Sequence, residues 1–483
     1  MVRRPPLGSL PVELHLLICE SILEDHIDPM PARSPWPPTR PGSAPDPPNS
    51  PPFIWDCVLP NHAALKNLAL ANPYFHSITR SLCYRRVVVS IANLDVALQV
   101  ILRLAPPSGY GEFVRELTID SRGIRASRSQ AERLSALGGL ILESKRLRLR
   151  PGPNDLTNPL LFKGVLIDVI LSQVPRVRKL FLSIYSGIPL PPEAPAAPAA
   201  GSAPIVEARP VELLYGTRFP EGMIFRNLRD LETRPPWAWP ARYVRCNRAS
   251  ISAILSRAPA LTRLVIWPLE PVQNPIQMCR MPQLTEVVVM DNYPADVATI
   301  ARNAGKLEHF TIRAFEYYPP AAPVQVVNPS YQPAYFSFTN AHIFLTPILS
   351  ARSTMTQLCI RIDRLNAGSI RGWGTFLSHF VALRRLYLLT TIWPLDAPNH
   401  ELIDRLPASL EVLYLGEGQV PLYRLAIVLN SRATAGRMPN LKWFVRIVRR
   451  SEVRVAIDAQ IRSALQESGI NYGVFIAPSI YDE

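Results

Sequence analysis

Residues 258–267 read APALTRLVIW, residues 281–290 read MPQLTEVVVM and residues 304–313 read AGKLEHFTIR. Laid over one another they share one apolar phrase. It is carried by Leu261-Leu264-Ile266, Leu284-Val287-Val289 and Leu307-Phe310-Ile312, at steps of 23 residues. The last two apolar places alternate with the period of a β-strand. A strand this short buries too little alone and needs stacked neighbours to offset its backbone entropy of about 1–2 kcal/mol per residue.

The phrase continues in both directions. Upstream stand Val114-Leu117-Ile119, Val177-Leu180-Leu182 and a weaker copy, Leu228-Leu231-Thr233. Downstream come Met355-Leu358-Ile360, Leu383-Leu386-Leu388 and Leu410-Leu413-Leu415, at steps of 48, 28 and 27 residues. Leu441-Phe444 lies 31 further on, where Arg446 takes the third apolar place and degrades the copy. The 48-residue step equals two units, or one unit carrying an insertion.

Between these strands the sequence predicts helices over Gly164–Gln173, Ser250–Arg257, Asp296–Asn303, His342–Ala351, Trp373–Phe380, Leu422–Leu429 and Val455–Ser468. Five of the ten strands follow a dipeptide ending in proline: Val174-Pro175, Ala258-Pro259, Met281-Pro282, Leu406-Pro407 and Met438-Pro439. Proline stops a helix and cannot pair inside a sheet, so it marks the helix-to-strand turn. A helix-then-strand unit of 23–31 residues has the leucine-rich-repeat period. The sequence therefore predicts an irregular leucine-rich-repeat-like α/β solenoid over residues 91–483, in preference to independent βαβ units.

Proline supplies 51 of the 483 residues, about twice the usual share. Beyond the turns it is pooled at about 27–60, 189–210 and 317–334, which read as extended insertions without hydrophobic periodicity. Hydrophobic residues make up 48% and charged residues 19%, which excludes wholesale disorder. The net charge is +14, but only six of the 52 basic residues are Lys. Abundant Ala, Pro, Arg and Gly beside scarce Lys is what GC-rich coding produces, and the basic residues are dispersed, so nucleic acid is not the expected partner. Six scattered cysteines form no C-x-x-C pair, which argues against a disulfide framework or a zinc site. The N-terminal apolar stretch is broken by Glu13, His15 and Glu20, unlike a signal peptide. No membrane association is expected, and the localisation reads as cytoplasmic or nuclear.

The signatures of catalysis are missing. Gly305-Lys306 lacks an upstream glycine at P-loop spacing, and His400-Glu401 is followed by Asp404 where a zincin requires histidine. No G-x-S-x-G or G-x-G-x-x-G occurs. The expectation is a protein without catalytic residue, cofactor or metal. Among the tryptophans, Trp237, Trp239, Trp267, Trp373 and Trp393 are candidate anchors for a ligand, with core positions expected for most.

Residues 9–25 predict a helix, with Pro11 in its first turn and Leu14, Leu17, Ile18 and Ile22 along one face. Val12, Leu16, Cys19 and Leu23 add apolar surface elsewhere, as for a helix buried on several sides. Further helices follow Asn61 and Asn72, and Arg85-Arg86-Val87-Val88-Val89 exits into a strand.

Residues 9–90, within a first domain read as 1–90, resemble an F-box followed by its exit strand. The resemblance rests on Leu10-Pro11-Val12-Glu13-Leu14, Leu17-Ile18, Leu68-Ala69-Leu70-Ala71-Asn72-Pro73-Tyr74-Phe75 and Leu82-Cys83-Tyr84-Arg85. The chain departs from that family in its proline-rich insertion and in Ala71 and Pro73. The remainder is similar to the degenerate leucine-rich repeats that follow many fungal F-boxes. The resemblance implies a small helical F-box-like domain that packs Leu10, Pro11, Leu14, Leu17 and Ile18 on the Skp adaptor, and through it reaches a cullin. The repeats would then hold an unidentified protein substrate for an SCF-type (Skp–cullin–F-box) ubiquitin ligase. Two other functions fit the residues: a leucine-rich-repeat interaction scaffold whose F-box-like cap is purely structural, and a basic nuclear nucleic-acid-binding protein.

Overall fold

A computed structural model describes residues 67, 70, 76, 79, 81–90, 94–105, 109–120, 167, 169–183, 223–233, 246, 248–267, 269, 275–290, 294–314, 346–364, 375–392, 403–416, 422–449 and 455–477. The chain forms two compact units, one of Met1–Ile184 with Thr217–Leu228 and one of Tyr185–Gly216 with Arg229–Glu483. The expected helix over 9–25 and the three proline-rich stretches lie outside the described residues. The fold class is α/β with parallel strands.

In the first unit β1 (Arg86–Ser90), β2 (Glu116–Asp120) and β3 (Lys179–Ser183) pair in parallel in chain order. A helix, α1 (Leu94–Leu104), joins β1 to β2 and buries Ile101 and Leu104. The sequence reading had no helix there. His76, Thr79 and Ser81–Cys83 are helical, in agreement with the helix expected after Asn72.

The second unit holds β4 (Asp230–Thr233), β5 (Arg263–Ile266), β6 (Glu286–Met290), β7 (His309–Ala314), β8 (Gln357–Arg364), β9 (Arg385–Ile392), β10 (Val412–Gly416), β11 (Trp443–Arg449) and β12 (Asn471–Ala477). From β4 to β12 consecutive strands pair in parallel in chain order. Because β7 pairs directly with β8, the 48-residue step is one unit with an insertion rather than two units. The helices are α2 (Arg248–Leu255), α3 (Pro294–Asn303), α4 (Leu422–Thr434) and α5 (Val455–Leu465). The described part of the predicted helix at His342–Ala351 is a 3-10 turn, Thr346–Ala351, and of the described residues in the one at Trp373–Phe380, 375–377 are helical and 378–380 are not. Among the described residues, no helix is long and apolar enough to cross a membrane.

The apolar triads are the core. In all ten copies, from Val114-Leu117-Ile119 to Leu441-Phe444-Arg446, no residue is more than 6% exposed. Opposite them the helices bury residues at helical spacing: Ile251, Ile254 and Leu255 on α2, Val297, Ile300 and Ala301 on α3, and Leu425, Ala426 and Leu429 on α4. Each large apolar side chain so buried contributes about 1.5–3 kcal/mol.

The prolines act as expected. Val174, Ala258, Met281 and Met438 are buried and accept a hydrogen bond from Val177, Leu261, Leu284 and Leu441 at 3.2–3.3 Å. Each is a turn with proline in its second place, where the ring presets φ. The turn delivers the first leucine of the triad to the core and the chain to the next strand. There a second recurring device begins. One carbonyl per strand, from Arg229 through Thr262, Thr285, Glu308, Thr356, Arg384 and Glu411, accepts two successive N–H groups of the following strand.

Two irregular triads are completed by polar partners. Thr233 is buried, and its hydroxyl accepts from the Trp267 N–H at 2.8 Å and donates to the Val265 carbonyl at 3.5 Å. Arg446 is buried and donates to Asp458 of α5 at 2.8 Å. The reading of that copy as degraded is therefore corrected: the charge is paired within the interior.

Candidate protein-interaction face

Strand alternation sends every second side chain to the face opposite the triads. The first such row runs Arg86, Glu116, Lys179 in the first unit. In the second it runs Asp230, Arg263, Glu286, His309, Gln357, Arg385, Val412, Trp443, Asn471. Opposite charges stand across neighbouring strands. Glu116 meets Arg86 at 2.8 Å and Lys179 at 3.4 Å, and Arg263 meets Glu286 at 3.1 Å and Glu232 at 3.3 Å. Partial burial works against the Arg263 charge, but Glu286 and Glu232 outweigh it and hold the guanidinium above its usual pKa.

The second row is Glu232, Val265, Val288, Thr311, Cys359, Tyr387, Tyr414, Val445, Gly473. Much of it is covered. Val265 has no exposed surface and forms a cluster with Val288 and Met290, against which Trp267 packs. Trp267 is thus half-buried against this cluster. Tyr387 is buried and stacks on Tyr414, ring centroids 4.0 Å apart. Burial first, and the neighbouring Tyr414 second, push the Tyr387 phenol well above its usual range.

The accessible part of this face lies at its C-terminal end. Arg384, Arg385, Lys442 and Trp443 are exposed, and Glu411 between them is half-buried, 3.7 Å from Arg384 and 4.0 Å from Lys442. Trp443 is 44% exposed, the largest aromatic surface on any described strand. Its ring lies beside Gly473, where an added Cβ would come within 3.8 Å of it. An aromatic flanked by three cations is a surface suited to an acidic protein segment.

Leu10, Pro11, Leu14, Leu17 and Ile18 lie outside the described residues, as do Trp237, Trp239, Trp373 and Trp393. Trp443, Tyr387 and Tyr414 were not singled out in the sequence, although each occupies an outward place set by its triad. Among the described residues no group of His, Cys, Asp and Glu is arranged to hold a metal ion, and Cys83, Cys246, Cys279 and Cys359 form no disulfide. No protein-family model matches the chain, and no curated protein matches it.

Proposed function

We propose that the protein is the substrate-recognition subunit of an SCF-type ubiquitin ligase, an F-box-like domain followed by an irregular leucine-rich-repeat solenoid. Leu10, Pro11, Leu14, Leu17 and Ile18 bind the Skp adaptor, and the outward strand face holds a protein substrate. The observation that carries this reading is the parallel array itself. Successive strands spend one row of side chains on the core and leave the outer row at β9–β11, with Arg385 and Trp443, accessible to a partner. Such a subunit performs no chemistry. It raises the effective concentration of substrate near the transferring enzyme.

The test is affinity purification of the full chain followed by mass spectrometry, with and without proteasome inhibition. Adaptor and cullin co-purify with wild type, substrate accumulates under inhibition, and Leu14→Arg loses adaptor while retaining substrate. If wild type brings down no adaptor, the ligase reading fails and the interaction scaffold remains.

A further inference from the structure

The geometry points to the outer edge of β12 as a self-association site, pairing with β12 of a second copy in an antiparallel, two-fold arrangement. Among the described residues β12 pairs on one side only, with β11. Asn471 donates its N–H to the Lys442 carbonyl at 2.9 Å. Parallel pairing alternates, so the backbone groups of Tyr472, Val474 and Ile476 turn to the other side. Val474 is 37% exposed.

Edges of this kind are ordinarily protected by lysine, proline, a bulge or extreme shortness. The strand Asn-Tyr-Gly-Val-Phe-Ile-Ala at 471–477 has no charge and no proline, and its seven residues pair in unbroken register with β11. The occupant follows from self-complementarity. With the two-fold axis at Val474, that residue faces its own copy, Tyr472 faces Ile476, and Gly473 faces Phe475. In an antiparallel ladder the three facing pairs formed by Tyr472, Val474 and Ile476 are the hydrogen-bonded ones, about six bonds in all. None of the facing positions carries a charged residue. A glycine opposite an aromatic is a favourable cross-strand pair. A two-fold contact also closes after two copies and leaves neither β12 edge open. The inference is independent of the ligase reading.

The experiment measures the mass of the full chain by light scattering between about 1 and 100 µM, where contacts of modest area associate. Wild type rises from 54.0 kDa toward twice that mass. High salt strengthens the association, because each copy carries a net charge of +14. Val474→Pro removes an N–H that β11 does not use and holds the chain at the monomer mass with an unchanged melting temperature. Val474→Lys does the same should the proline variant misfold. Val474→Cys forms a disulfide-linked dimer under mild oxidation, whereas wild type does not, since residues facing each other in hydrogen-bonded pairs lie at about 5.5 Å between Cα atoms. A mass that stays at the monomer value across the range, doubling that survives Val474→Pro, or growth beyond two copies would each overturn the proposal.

Discussion

Arg446 on β11 and Asp458 on α5 form an ion pair of 2.8 Å inside the last repeat, and the Tyr472 hydroxyl of β12 donates to the same carboxylate oxygen at 2.6 Å. Three consecutive elements thereby meet at one carboxylate. Earlier in the array Arg248 of α2 forms a bidentate pair with Asp296 of α3, with Nη2 at 2.8 Å from Oδ2. Asp296 also accepts the Ile276 N–H at 2.9 Å.

A buried charge deprived of its partner costs more than the intact pair contributes. Asp458→Ala removes the carboxylate that pairs with the buried Arg446 and destabilises the second unit by about 3–5 kcal/mol. The double variant Arg446→Leu with Asp458→Leu recovers most of that loss, because the triad becomes apolar like its neighbours. Urea denaturation of the single and double variants measures both values.

Two glycines separate crowding from strain. A Cβ on Gly111 would stand 1.8 Å from the Gln173 carbonyl oxygen, so Gly111→Ala must displace backbone and costs at least about 3 kcal/mol. Gly436 has φ +70° and open space around it. It ends α4 by donating to the Ala433 carbonyl at 2.9 Å, while Arg437 donates to Arg432 at 3.0 Å, the Schellman arrangement. Gly436→Ala costs only the left-handed strain, about 1–2 kcal/mol. Parallel thermal melts rank the two.

Alkaline stability depends on Tyr387 and Tyr472. Burial raises both phenols above the ordinary value of 10.0, with the Asp458 hydrogen bond adding to the shift of Tyr472 and Tyr414 to that of Tyr387. Above that value the unfolded chain loses these protons while the folded chain retains them. The stability they contribute is complete below about pH 10 and is lost as pH rises beyond it. Tyr387→Phe and Tyr472→Phe each flatten the decline, which denaturation midpoints from pH 8 to 11 would detect as about the same loss at every pH instead of a growing one.

On the proposed function, partner capture falls when the exposed corner is altered. Trp443→Ala weakens retention of the co-purifying protein by about tenfold or more, the effect of removing an aromatic anchor, without lowering the melting temperature. Arg385→Glu weakens it and reduces its salt sensitivity. Quantitative recovery at two ionic strengths checks both, and unchanged recovery for both variants removes this corner from the binding surface.

The strands were legible because their cause is local: two or three apolar residues in fixed phrase, in half the copies preceded by a proline turn, locate β2 to β11. The helix α1 escaped notice because it precedes the first triad, although Pro106 and Pro107 follow it closely. The turn at Thr346–Ala351 has apolar residues enough for a helix, but Pro347 sits within its six residues and the segment closes as 3-10. Arg446 reads as a broken triad because hydrophobic period scores the residue and not its partner, and Asp458 lies on the following helix. The interaction face was least legible of all. Outward places accept Arg, Tyr, Val or Gly alike, so periodicity fixes where Trp443 points without signalling that it is exposed.

The carboxylate shared by Arg446 and Tyr472 has a mechanical consequence. In an array where, among the described residues, strands pair with their chain neighbours, tension applied beyond β12 reaches β12 before β4. Peeling β12 must pull Tyr472 from Asp458 and expose Arg446 before β11 can follow. Asp458 is therefore a clasp, and the force needed to open the repeats one after another is set at their last joint.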